Sequence, residues 1–84
     1  MTTDTIITRL QSAINRSGGL VWQQPQVIGN GEVAVYMRSG FGILASPHRF
    51  AGATFTVVWD DGTEYDMDST FNNAGDAVTL AESI

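Results

Sequence analysis

Asp60, Asp61, Glu64, Asp66 and Asp68 place five of the chain's nine carboxylates within one short stretch that holds no basic side chain. Clustered carboxylates serve cation binding, acid–base catalysis or the recognition of a basic surface. The first fails on spacing. An EF-hand loop needs a carboxylate at its first position and glycine at its sixth, and setting Gly62 sixth puts Val57 first. A looser Ca²⁺ site at the hairpin tip is the weaker alternative. Zinc is not expected with a single histidine and no cysteine. Catalysis fails on context. A glycosidase-like pair needs a cleft, which neighbours on an open strand do not make. His48 is the only histidine, and no G-x-S-x-G elbow accompanies it. The "GNG" and "SGFG" glycines belong to turns and not to a phosphate loop. No catalytic residue, metal or cofactor is therefore assigned, and an enzyme is not expected.

Charge points toward the third use. Four arginines, at positions 9, 16, 38 and 49, and no lysine leave a net charge of -5. Direct nucleic-acid binding needs a basic footprint that this chain lacks. A charged partner is expected to be a protein with a basic surface. The 84 residues, 43% of them hydrophobic, suit a single domain over 1–84 with a core near the lower limit of size. Without cysteine there is no disulfide framework. The apolar runs fall far short of the roughly 20 residues that span a bilayer, and "MTTDTIITRL" has no basic segment of the signal-peptide type. A cytoplasmic protein with no membrane contact is the expectation.

The elements that must position these carboxylates read as helix, strands, helix. Thr3 or Asp4 caps a first helix whose Ile6, Ile7, Leu10, Ala13 and Ile14 recur at helical spacing, with Arg16 and Gly18 at its end. From Leu20 the period becomes two. Asn30-Gly31 predicts a hairpin that sets Ile28 opposite Val33, so that Leu20, Trp22 and Ile28 share a face with Val33, Val35 and Met37. Pro25 pushes the first strand to an edge. A turn at Ser39-Gly40 adds a third strand, with Leu44 joining that face and Tyr36, Phe41, Ile43 and Ala45 on the other. Such a back face is either covered by the second helix or the 46–52 loop, or is an apolar patch for a partner or a homodimer. The "SPHRFAG" stretch, rich in breakers, reads as an irregular loop, with His48 solvated or Phe50 and Arg49 in contact with a partner. At the end, Asn73 and Asp76 suggest a capping box for a short helix striped by Ala77, Leu80, Ala81 and Ile84. The fold class is α+β: an antiparallel sheet of four to five strands, with hairpins at Asn30-Gly31, Ser39-Gly40 and Asp60-Gly62, between an N-terminal and a short C-terminal helix.

The last hairpin has two possible registers. A two-residue loop, Asp61-Gly62, would put Phe55, Val57 and Trp59 beside Glu64, Asp66 and Asp68, burying charge with oil at several kcal/mol per group. A three-residue loop, Asp60-Asp61-Gly62 with Gly62 left-handed, groups the apolar residues with Thr63, Tyr65 and Met67. Only this bulged register separates the two sets. It would align Glu64, Asp66 and Asp68 on one strand at roughly 6.8 Å intervals.

Val57-x-Trp59-Asp60-Asp61-Gly62 resembles hairpins of small SH3-like barrels, a likeness that carries no functional residue with it. Small size, acidity and the lack of catalytic groups are similar in character to phage-encoded inhibitors of host defence such as anti-CRISPR proteins. The leading expectation is a small acidic protein-interaction module, an inhibitor that mimics nucleic acid by occupying a basic surface. Asp60, Asp61, Glu64, Asp66 and Asp68 would engage that surface, with Tyr36, Phe41 and Phe50 as apolar anchors. The alternative is an assembly subunit that self-associates through an apolar sheet face, and a small-ligand or Ca²⁺-binding module is the third.

Overall fold

The computed structural model describes residues 2–19, 21, 23–50 and 52–84. Its elements are α1 (Thr3–Ser17), β1 (Gln26–Gly29), β2 (Glu32–Tyr36), β3 (Gly42–His48), β4 (Gly52–Val58), β5 (Thr70–Phe71) and α2 (Ala74–Ser83). The five strands form one antiparallel sheet in sequential order. Both helices contribute to a core built on one sheet face, the α+β arrangement expected from the sequence.

α1 buries Ile6, Leu10, Ala13 and Ile14, the stripe that its spacing predicts. Its cap lies one or two residues earlier than Thr3 or Asp4: Thr2 Oγ1 accepts the Thr5 N–H at 3.2 Å, and Asp4 sits in the first turn. Gly18, at φ 71°, closes the helix in the left-handed conformation. α2 begins as expected, with Asn73 Oδ1 accepting the Asp76 N–H at 2.8 Å and Asn73 Nδ2 donating to Asp76 Oδ2 at 2.9 Å. Ala74, Ala77, Val78 and Ala81 are buried, whereas Ile84 is exposed.

Two registers differ from expectation by a single residue. Asn30 and Gly31 both have positive φ, as the hairpin turn requires. Gly29 then pairs with Glu32, but Val27 pairs with Val33, so Ile28 is the extra residue of a β-bulge. Ile28 therefore does not join the Val33 face; Val27 takes that place, and on the edge strand both side chains are exposed. Leu20 and Trp22, also expected on that face, lie outside the described residues, while Val21 bridges Met37. β1 is an edge strand, as Pro25 suggested.

The second correction has more effect. The β2–β3 connection is a three-residue loop, Arg38-Ser39-Gly40. Met37 N donates to Phe41 O at 2.8 Å and Gly40 N to Met37 O at 3.1 Å, with Gly40 at φ 98°. The left-handed glycine adds a residue to the turn, which pairs Val35 with Ile43 and Val33 with Ala45. Ile43 and Ala45 therefore point into the core, and Phe41 packs against it. Leu44 lies with Ala34 and Tyr36 on the opposite face. The expected back-face patch of Tyr36, Phe41 and Ile43 does not form. Across the helix-free face run the rows Ala34–Leu44–Thr56–Thr70 and Tyr36–Gly42–Val58–Glu64, with Thr56 and Thr70 hydroxyls 2.9 Å apart.

The "SPHRFAG" stretch, of which residue 51 lies outside the described residues, is not an irregular loop: β3 continues to His48, which pairs with Gly52. Pro47 is tolerated for a geometric reason. Val57 bonds toward β5, accepting from Tyr65 N and donating to Ser69 O, both at 2.9 Å. By antiparallel alternation Pro47 would then need a donor only toward β2, whose pairing stops at Val33–Ala45.

Candidate interaction site

The β4–β5 connection carries all five clustered carboxylates, and each of those residues is exposed. Its first half has the bulged register. Trp59 N donates to Thr63 O at 2.8 Å, Gly62 N donates to Trp59 O at 3.0 Å, and Gly62 has φ 88°. Val58 bridges Glu64, so the carboxylate and the Trp59 side chain fall on opposite faces. Asp61 ties the turn together, accepting from Thr63 N at 2.9 Å and Thr63 Oγ1 at 2.7 Å. The Thr63 hydroxyl, then its N–H, hold the Asp61 carboxyl below the ordinary value of 3.8.

The second half departs from the expected strand. Pairing breaks after Tyr65, and residues 66–69 turn out of the ladder before Thr70 and Phe71 rejoin β4 opposite Thr56 and Phe55. Ser69 holds this excursion. Its side chain is fully buried, and its Oγ donates to Asp66 O at 2.6 Å and accepts from Asp66 N at 3.2 Å. Asp66 Oδ1 accepts from Met67 N at 2.6 Å. Glu64, Asp66 and Asp68 therefore do not form an alternating row on one strand, and Met67, expected on the apolar face, is 89% exposed. The signal was present in Asp66, Asp68 and Ser69, all turn-forming types that compete with a ladder through their own side chains.

Beside this connection lies an aromatic cluster. Phe41 and Trp59 have ring centroids 4.8 Å apart, Phe41 meets Tyr65 edge-on at 5.4 Å, and Trp59 meets Tyr65 at 5.4 Å. Such tilted and edge-on pairs stabilise beyond their buried area. Trp59 nonetheless stays 45% exposed. Of the three expected anchors, only Phe41 belongs here. Tyr36 lies on the other face, its ring so close over Gly42 that a Cβ there would meet it at 2.6 Å. It lines a shallow cleft of about 530 Å³ with Gln23, Gly40 and Asp60. Phe50 is 88% exposed at the turn after β3, with the Arg49 guanidinium 5.8 Å from its ring centroid. That turn is about 20 Å from Phe41 by the rise of β3. Trp59, Tyr65 and Met67 also lie at this connection, and the sequence reading did not single them out as candidate site residues.

Among the described residues no group of three His, Asp or Glu side chains is placed to hold a metal ion. No helix of the described residues is long and apolar enough to cross a membrane. Comparison with known protein families, with curated proteins and with solved structures gives no match.

Proposed function

We propose that this chain is a small protein-interaction module that docks its β4–β5 connection onto a basic surface of a protein partner and blocks that surface by occupying it. The observation that carries this is the half-exposed Trp59, braced by Phe41 and Tyr65 and followed in the chain by five exposed carboxylates. Tryptophan and tyrosine are the side chains that concentrate binding energy at interfaces, and surrounding charges set association rate and selectivity. A pre-formed, braced ring loses little freedom on binding. A basic groove built for nucleic acid is a fitting target, but the carboxylates would meet it from an irregular connection that follows Trp59, with Glu64 on the face opposite the ring, and not as an evenly spaced ridge.

The test uses the partner recovered with the intact chain. Trp59→Ala should weaken its binding at least tenfold. The triple variant Asp60→Lys, Glu64→Lys, Asp68→Lys should slow association and remove its salt dependence. Unchanged affinity and salt slope in both variants would overturn the proposal.

Self-association is supported by a different surface from the one the sequence suggested. Val27 and Ile28 are 57% and 56% exposed on the edge strand β1, and open edges recruit further strands. A dimer that appears with concentration in sedimentation and is lost in Val27→Lys would favour this second reading.

A further inference from the structure

A cleft of about 720 Å³ opens between the two helices. α1 lines it with Arg9, Ser12 and Arg16, and the first turn of α2 with Ala74 and Gly75. Arg9 and Arg16 are half of the arginines in a chain of net charge -5. Seven residues apart, they share a helix face with about 10 Å between them along the axis. Both are exposed, and Arg16 steadies itself by donating from Nε to its own helix at Ser12 O, 3.4 Å away. Ala13 and Ala74, buried at 4% and 5% exposure, make a small apolar floor that lets the helices approach while the long side chains stand at the rim. Two acids stand nearby: Asp76, whose amide and carboxylate are both engaged by Asn73, and Glu82, whose Oε1 accepts from the hydroxyl of Ser17 at the cleft wall. The Ala74 and Gly75 amides precede the first intrahelical bonds of α2.

We infer that this cleft binds a small anionic ligand bearing at least two separated oxyanion groups. Guanidinium forks match phosphate and carboxylate oxygens two at a time, and two such side chains rooted about 10 Å apart along one helix give each fork its own oxyanion to meet. Phosphoryl and carboxylate ligands share this chemistry, so the experiment uses one probe of each: inorganic tripolyphosphate and citrate, titrated at low salt into the ¹⁵N-labelled chain.

Binding of either probe should shift the Ala74 and Gly75 amides and the Arg9 and Arg16 Nε–H signals in a saturable way. The double variant Arg9→Gln, Arg16→Gln should weaken it at least tenfold, its amide spectrum reporting that the fold is retained. Arg49→Gln, on the β3–β4 turn, should leave it unchanged. Tripolyphosphate binding alone would assign a phosphorylated ligand, and citrate binding alone a polycarboxylate. The absence of saturable shifts with both probes, or equal weakening by Arg49→Gln, would overturn the inference.

Discussion

Asp61 and Thr63 show how a cluster of like charges is held at a tight turn. The Asp61 carboxylate accepts two hydrogen bonds from Thr63, so one of the five acids serves the turn before it serves any partner. Because these bonds favour the ionised form, Asp61 keeps its charge to lower pH in the folded chain than in the unfolded one. The resulting stabilisation is present above the ordinary carboxylate range and is lost as the pH falls through the lowered value. Thr63→Val removes the larger of the two contributions while leaving the amide in place. Its Asp61 carboxyl should titrate closer to 3.8, as read from side-chain carbonyl shifts, and the stability gap between the two proteins should close on acidification. Gly62 has a separate role: at φ 88° it occupies a conformation that costs other residues about 1–2 kcal/mol. Its identity was the local clue that separated apolar from charged side chains.

At the scale of elements, one left-handed glycine decides which face a strand shows. Asp60-Asp61-Gly62 and Arg38-Ser39-Gly40 are the same kind of loop, three residues ending in a glycine at φ 88° and 98°. In the first, the conflict between carboxylates and large apolar residues exposes the register in the sequence. In the second, both faces of β3 carry apolar residues, so the pattern contains no such conflict and either register looks acceptable. The structure makes the difference measurable. Ile43 is fully buried whereas Leu44 is half-buried on the helix-free face. Ile43→Asp should therefore destabilise by several kcal/mol, to the point of unfolding, because it buries a charge without a partner. Leu44→Asp should fold, with a loss of about 1–2 kcal/mol from reduced apolar cover. Thermal or urea unfolding of the two variants separates the registers, and the reverse order would refute the one described.

Across the whole molecule, two helices close a single layer of core over one sheet face, and among the described residues the largest fully buried side chain is Phe55 on β4. β4 is interior to the sheet, paired with β3 along its full length and with β5 at Phe55–Phe71 and Thr56–Thr70. Phe55→Ala should cost about 3–5 kcal/mol, a large share of the about 5–15 kcal/mol that domains possess in total. A urea midpoint within a few tenths molar of the parent would contradict a core centred there. The site depends on this packing: Phe41, Trp59 and Tyr65 meet only because β3, β4 and the β4–β5 connection are brought side by side.

The helix stripe of α1, the Asn73 cap, the Asn30-Gly31 turn and the Gly62 bulge were determined by sequence alone, because each rests on groups within a few residues of one another. The α+β class followed from the change of hydrophobic period from helical to two. Tertiary structure decided the β2–β3 register, the departure of residues 66–69 from the ladder around buried Ser69, and the meeting of three aromatic rings. Those outcomes compare the burial of whole faces and the hydrogen bonds of distant strands. A local pattern holds no record of such terms until the chain has closed on itself.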